Sequence, residues 1–215
     1  MLKFQLETKA HQRFGSATTN FEATLPDHQF RLAQQLVKQP YVLDFIRLRS
    51  DADERDLLKA LTAHLTEFLL ELGKGFAYMG RQYPLVVGGR DYYLDLLFYN
   101  TRLHCYVVIE LKMDEFKPEH VGKMQFYLAA ADEQLKSGED APSLGLILCK
   151  TKNGVIVEYA LRDSIKPIGV AEYTVLPAAL SEGLPTREEL CKEFALVEHT
   201  EMAQRANRKQ KKARC

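Results

Sequence analysis

Three ionisable residues, Asp95, Glu110 and Lys112, lie near the ends of two strongly apolar segments of the chain. These segments, residues 92–99 and 103–111, flank a short polar break. Aromatic and branched residues on both sides of such a break predict an antiparallel β-hairpin. Burial of an unpaired charge in these strands would cost several kcal/mol. The charged residues are therefore expected to have partners, and a shared cation would satisfy two carboxylates.

The spacing of the three residues predicts that they meet on one face of the hairpin. Side chains alternate between the faces of a strand, so Glu110 and Lys112 project on the same side. A turn at residues 102–103 pairs residues whose numbers sum to 205, which places Asp95 opposite Glu110. Cross-strand neighbours lie about 5 Å apart at Cβ, within reach of one divalent cation. A shift of one residue would send Asp95 to the other face.

Composition indicates a soluble globular protein built on one domain. The chain has 215 residues, of which 46% are hydrophobic and 27% charged. No apolar run approaches the roughly 20 residues of a membrane span, and the first residues lack the apolar core of a signal peptide. We therefore predict a cytoplasmic protein without a membrane segment. The net charge is zero, yet the last residues are rich in lysine and arginine, a pattern that favours contact with polyanions.

The segments around the hairpin predict an α/β fold, with a mixed sheet, an antiparallel meander and flanking helices. Apolar residues at helical spacing predict three helices, at 26–40, 53–73 and 118–138. Residues 41–48 are expected to form a short apolar turn. Residues 76–87 predict a strand that enters the hairpin through two glycines.

The chain after the third helix predicts a parallel addition to the sheet. Residues 144–149 are almost wholly apolar, which indicates a central strand reached by a helical crossover. Residues 155–161 fit a helix or a strand, and 168–176 predict a last strand. The four cysteines lack the CxxC spacing of a zinc site. Residues 1–25 are polar and weakly periodic, and we expect them to form an arm outside the core.

This order of elements resembles the core of the PD-(D/E)XK nuclease superfamily: an acid on one strand, Glu-x-Lys on the next, a helix with a glutamate before them and a crossover helix after them. The match extends to the YhcG-like bacterial nuclease-domain family over residues 20–188. Five segments carry it: FLLELGKGFAYMGRQYPL, YYLDLLFYN, CYVVIELKMDEFKPEHVGKMQFYL, LGLILCKTKNGVIVEYAL and KPIGVAEY. The resemblance implies a restriction-endonuclease-like core and a magnesium-dependent endonuclease that acts on DNA, with manganese as a substitute ion.

The resemblance also implies roles for individual residues. Asp95 and Glu110, with the backbone carbonyl of Leu111, would hold the metal. Lys112 would orient or deprotonate the attacking water and offset negative charge. The acid on the preceding helix corresponds to Glu54. Two further glutamates of the same predicted helix are alternatives, Glu67 and Glu71, the second of which fits a solvent-facing position.

Two other positions bear on the family pattern. Gln125 matches the polar residue that family members often carry on the helix after the hairpin. Leu94 stands where the family pattern has a proline before the first acid, which removes no ligand.

The resemblance further predicts how the chain is divided and what it binds. Residues 1–40 would be an N-terminal arm or the end of a missing domain, 41–180 the nuclease-like domain, and 181–215 a helical, basic tail. DNA is the expected partner, and the sequence does not distinguish DNA from RNA. A homodimer and an N-terminal partner domain are further expectations.

Simpler interpretations stay open. Asp95, Glu110 and Lys112 also fit a charge cluster at a strand end, and Glu54 fits an acid that stabilises a helix N-terminus. Gln125 fits an ordinary surface position. The fold also fits a nucleic-acid-binding or assembly module that is inactive without a partner domain.

Overall fold

The computed structural model describes residues 9–49 and 51–177. The helices of this part are short except for one that follows the central hairpin: α1 (Ala10–Arg13), α2 (Phe21–Thr24), α3 (Asp27–Leu36), α4 (Glu54–Ala63), α5 (Leu65–Leu72), α6 (Glu119–Gln134) and α7 (Gly154–Arg162). The strands form one mixed sheet: β1 (Thr18–Thr19), β2 (Tyr41–Leu48), β3 (Phe76–Val87), β4 (Arg90–Asn100), β5 (Cys105–Glu115), β6 (Leu144–Thr151) and β7 (Ile168–Pro177).

The sheet confirms the predicted meander and crossover. Its strand order is β1-β7-β6-β5-β4-β3, and β2 pairs with β7. Strands β3, β4 and β5 pair antiparallel, whereas β5, β6 and β7 pair parallel. Helix α6 makes the connection from β5 to β6, as a parallel pair requires. The fold is therefore the α/β sandwich that the sequence predicts.

Two apolar cores lie on opposite faces of the sheet. The first contains Leu36, Leu57 and Phe68, from helices α3, α4 and α5. The second contains Met124 of α6 and Leu161 of α7. Both faces of the central strands are thus covered, which explains their near-continuous apolar sequences.

The pairing of β4 with β5 follows the predicted register. Leu96 pairs with Ile109 and Asn100 with Cys105, so paired residues have numbers that sum to 205. Oδ1 of Asn100 accepts hydrogen bonds from backbone amides of the turn that follows it. The Arg102 amide nitrogen lies 3.0 Å from this oxygen. This turn fixes the register because an asparagine at such a position organises the chain locally.

Several local predictions are wrong, each for a tertiary reason. Residues 41–48 form strand β2 rather than a turn, because β7 offers an edge to pair with. The helix predicted over 53–73 is broken at His64 into α4 and α5. The ambiguous segment at 155–161 belongs to α7, whose N-cap Asn153 accepts hydrogen bonds from two backbone amides.

The expectation of an arm outside the core is also wrong for the N-terminal residues that the structure describes. Phe21 is buried in the first core, and β1 pairs with β7. The Asn20 side chain donates to the carbonyl of Lys166 at 3.0 Å and accepts from the amide of Ile168 at 2.8 Å. A few side-chain contacts of this kind leave no periodic signal in a sequence.

Glu71 is buried, although the sequence suggested a solvent-facing position. Its side chain is 1% exposed and forms ion pairs with Arg13 and Lys38. Its Oε1 also accepts a hydrogen bond from the amide of Val42 at 2.9 Å. Burial lowers the pKa of Lys38, although the adjacent Glu71 opposes that shift. The buried cluster joins α1, α5 and the start of β2.

The remaining predictions divide between described and undescribed residues. Cys105 and Cys149 are buried free thiols. No helix in the described part of the chain is long and apolar enough to cross a membrane. The predicted tail at 181–215 and the other two cysteines lie outside the described residues.

Candidate active site

The hairpin brings Asp95 and Glu110 together at the point where the β4–β5 ladder ends. The last backbone pair is Leu96 with Ile109, and the two acids are the next residues along their strands. Oε1 of Glu110 accepts a hydrogen bond from the Asp95 amide at 3.4 Å. In return, Oδ2 of Asp95 accepts one from the Leu111 amide at 3.0 Å. Each acid thus engages the backbone of the other strand.

An irregularity in β4 helps to position Asp95. Leu94 packs into the second core and Leu96 into the first, although residues two apart in a regular strand share a face. Gln82 of β3 lies opposite Asp95 of β4, between the two neighbouring backbone pairs of the β3–β4 ladder. It has a φ of +44°, and its amide donates to Oδ1 of Asp95 at 3.1 Å. Both Asp95 oxygens are therefore held.

Glu110 is a buried acid with an unusual environment. Its side chain is 3% exposed. Burial raises its pKa to about 7, and the neighbouring Asp95 adds to that rise. Lys123 opposes the rise with a 2.8 Å contact to Oε2, and Lys112 with one at 4.0 Å. The Glu110 carboxyl therefore binds a proton more readily than an exposed glutamate does.

Lys112 connects the strand pair to helix α4. Its Nζ donates to Oε2 of Glu54 at 3.0 Å and to the carbonyl of Leu111 at 2.7 Å. Glu54 occupies the first position of α4, which a capping box between Asp53 and Asp56 fixes. The structure therefore brings four predicted site residues, Glu54, Asp95, Glu110 and Lys112, into one connected group. The Leu111 carbonyl, predicted as a metal ligand, accepts from Lys112.

Helix α6 contributes a residue that the sequence analysis missed. Lys123 contacts Glu110, and its ammonium lies 5.0 Å from the centre of the Tyr127 ring. Burial lowers the pKa of Lys123, but the negative charge of Glu110 opposes this effect, and the pKa is raised overall. The four-residue spacing from Lys123 to Tyr127 was the available signal, since such residues share a helix face.

Gln125 lies away from this contact. It is two residues from Lys123, which turns it about 200° around the helix, to the other margin of the buried face. Within the described residues it forms no hydrogen bond with Asp95, Glu110 or Lys112. Its predicted role in the site remains a prediction.

His120 borders the site at the start of α6. Its Nδ1 accepts a hydrogen bond from the Lys117 amide at 3.1 Å, which leaves Nε2 to carry the proton of a neutral ring. Burial lowers its pKa, and the charge of Lys112 lowers it further. The side chain therefore adds a neutral donor to a site otherwise made of charged groups.

The donor set suits a hard divalent ion. Among the residues that the structure describes, no three His, Cys, Asp or Glu side chains form a group that could hold a metal. Asp95 and Glu110 provide carboxylate oxygens at one position, and the Leu111 carbonyl directly follows Glu110 in sequence. Magnesium is commonly bound by one or two carboxylates and several waters. The residues present fit magnesium better than zinc, which prefers nitrogen and sulfur ligands.

Comparison with known families decides the assignment. The family model of the YhcG PDDEXK nuclease domain matches residues 34–190. The chain belongs to this family. The antiparallel meander and the parallel strands joined by the crossover helix α6 are thus the fold of a PDDEXK nuclease domain, and the mixed sheet has a restriction-endonuclease-like arrangement.

A curated relative supports the same assignment. The chain is 37% identical over 142 residues to the protein named "Putative nuclease YhcG" from Escherichia coli (strain K12). The matched region is 66% of this chain and 38% of that relative. The chain therefore spans well under half the length of this relative.

Solved structures resemble the domain only distantly. A repair endonuclease from Pyrococcus abyssi has a TM-score of 0.38 and 16% identity, over 60% of this chain and 50% of that one. A complex of EndoMS with double-stranded DNA has a TM-score of 0.36 and 17% identity, over 60% and 46% of the two chains. At TM-scores this low, these likenesses add nothing to the assignment.

Proposed function

We propose that this chain is a nuclease that hydrolyses phosphodiester bonds in DNA with a divalent ion, magnesium in the first instance. One observation carries the proposal: two carboxylates from neighbouring strands meet beside a lysine that is itself held by a third acid. Such an arrangement can bind a cation and stabilise negative charge on a phosphoryl group. Membership in a nuclease-domain family supports the same activity.

The proposed metal ligands are Asp95, Glu110 and the Leu111 carbonyl. Magnesium bound there would polarise a phosphoryl oxygen and lower the pKa of a bound water. Asp95 is preorganised for this role because Gln82 and the Leu111 amide hold its two oxygens. Manganese is the expected substitute because it accepts the same oxygen ligands.

Lys112 is proposed to orient the attacking water and to offset charge at the phosphoryl oxygens. Glu54 holds its ammonium at 3.0 Å, and Tyr173 donates to its backbone carbonyl at 3.2 Å. Glu54 thus acts in this proposal as a positioning residue for Lys112.

Cleavage of single-stranded, duplex and branched DNA, with and without magnesium, tests the proposal. Wild-type protein is compared with Glu110→Ala, Asp95→Asn and Lys112→Ala. We expect metal-dependent cleavage by the wild type and a loss of roughly 100-fold or more in each variant, the scale for removal of a preorganised catalytic group. Far-UV circular dichroism confirms that each variant is folded. Cleavage that survives in the folded Asp95→Asn and Lys112→Ala variants would contradict the assignment.

A second candidate is a nuclease-fold module that binds DNA and needs a partner domain for cleavage. The region matched is 38% of the YhcG relative, which favours this alternative. Under it, the isolated chain binds DNA and cuts poorly, and a longer form restores cleavage. An N-terminal partner domain, a homodimer and a cytoplasmic location belong to the proposal. RNA is included as a competing substrate in the same assay.

A further inference from the structure

We propose that Lys123 is a tethered counter-cation that occupies the carboxylate of Glu110 until a divalent ion displaces it. Metal binding would then be an exchange in which the ammonium leaves Oε2 as the ion arrives. The exchange sets the metal concentration at which the site fills. This inference rests on the proposed function, because it assumes a metal at Asp95 and Glu110.

The position of Lys123 supports the exchange. Its Nζ lies 2.8 Å from Oε2 of Glu110, the closest cation to that carboxylate in the described residues. Glu110 is nearly inaccessible, at 3% side-chain exposure, so it needs a nearby positive charge when ionised. A hard divalent ion at Oε2 and an ammonium at hydrogen-bond distance from the same oxygen would repel one another.

Lys123 can move, whereas Lys112 is held. The Lys112 side chain is 12% exposed and is bonded to Glu54 and to the Leu111 carbonyl. The Lys123 side chain is 46% exposed, and beyond Glu110 its ammonium contacts only Tyr127 among described residues. A long, half-exposed lysine can therefore swing toward solvent while its aliphatic stem stays on α6.

Calorimetric titration of metal-free protein with magnesium, without DNA, tests the exchange directly. It is done at about pH 9, where protons compete little for a carboxyl whose pKa is near 7. Lys123→Met removes the cation and keeps the stem length, Lys123→Arg keeps the charge, and Lys74→Met changes an exposed lysine away from the site. We expect Lys123→Met to bind magnesium roughly threefold to fivefold more tightly, the upper part of the range for loss of one competing ion pair. The two other variants should match the wild type within about twofold.

Chemical labelling gives a second measurement that does not depend on a variant. Saturating magnesium should increase the rate at which acetic anhydride modifies Lys123 in the wild type, measured by peptide mass spectrometry, and leave Lys74 unchanged. The exchange is overturned if Lys123→Met binds magnesium no more tightly than the wild type, or if labelling of Lys123 does not change. If the wild type binds no magnesium, the metal site of the proposed function fails as well. Binding by the wild type together with an unchanged Lys123→Met rejects the exchange alone.

Discussion

The backbone amide of Leu111 donates a hydrogen bond to Oδ2 of Asp95 at 3.0 Å. The strand that carries Glu110 thus fixes the orientation of the acid on the neighbouring strand. Because the donor is a backbone amide, a substitution on β5 removes the bond only if it places proline at position 111. Changes to the other partner of Asp95 can therefore be tested while this anchor stays in place.

Replacement of Gln82 by methionine should lower cleavage and leave the fold intact. Methionine keeps the length of the side chain but cannot donate to Oδ1 of Asp95, and a hydrogen bond to a charged group contributes about 1.5–3 kcal/mol. We expect cleavage to fall about tenfold, since Asp95 keeps one anchor. Gln82 is exposed, so the melting temperature should change by no more than roughly 3 °C. Gln35→Met, on the exposed side of α3, is the matched control. Equal activity in the two variants would show that Gln82 does not position the acid.

Glu110→Gln should stabilise the metal-free protein at alkaline pH. The pKa of Glu110 rises from 4.5 to about 7 on folding, so the folded chain binds the proton more readily than the unfolded chain. The stability from this group is full below about pH 4.5 and is lost as the pH rises to about 7. Above pH 7 the loss is about 3 kcal/mol by linkage. The glutamine should therefore melt roughly 6–12 °C higher at pH 8 and converge with the wild type near pH 4.5.

Thermal scans of both proteins between pH 4.5 and 8.5 measure this difference. Glu119→Gln, an exposed acid at the start of α6, controls for the loss of a surface charge. A difference between Glu110→Gln and the wild type that stays constant with pH would contradict the assignment of the raised pKa to Glu110.

Magnesium should raise the melting temperature of the wild type in a concentration-dependent way. A ligand that binds only the folded chain stabilises it by about 2.7 kcal/mol at 100 times its dissociation constant, which corresponds to roughly 5–10 °C for a chain of this size. Manganese should act at lower concentration. Glu110→Gln should lose most of the effect because it removes one charged ligand. Equal magnesium shifts in the two proteins would place the ion elsewhere.

Glu54→Gln and Glu71→Gln should separate activity from stability. Glu54 forms a partly exposed pair, so its loss should lower the free energy of unfolding by less than about 1 kcal/mol, yet reduce cleavage because Lys112 loses its anchor. Glu71→Gln leaves the buried Lys38 ammonium without its anion, which costs about 3–5 kcal/mol. Urea denaturation and cleavage assays measure the two effects. A larger loss of activity per folded molecule in Glu71→Gln would make Glu71 the helix acid of the site.

The hairpin and its register could be predicted because local information determines them. Strand alternation and the turn after Asn100 are enough to place Asp95 opposite Glu110, and both depend on residues close in sequence. The crossover to β6 was predictable for a similar reason, since an apolar strand after an amphipathic helix favours a parallel pair. The same strand alternation predicted that Asp95 and Glu110 lie on one face of the hairpin.

Contacts that depend on packing between distant elements could not be predicted in this way. The pair of Lys123 with Glu110 requires the rotation of α6 on the sheet, which helical spacing alone leaves open. Glu71 looked like a surface acid because its two partners lie 58 and 33 residues away. The break at His64 was missed because apolar spacing continues through it, and the helix ends there despite that pattern.

The turn between β3 and β4 offers an attachment point for a spectroscopic reporter. Gly88 and Gly89 both have positive φ, and a Cβ added to either would meet no atom within 4 Å. Because any other residue would be strained at these φ values, a short labelled linker inserted between them is preferable to replacing either glycine. Asp95 follows six residues after Gly89 on β4, about 20 Å along the strand. A fluorophore there would be near enough to sense DNA arriving at the acids and far enough to leave them undisturbed.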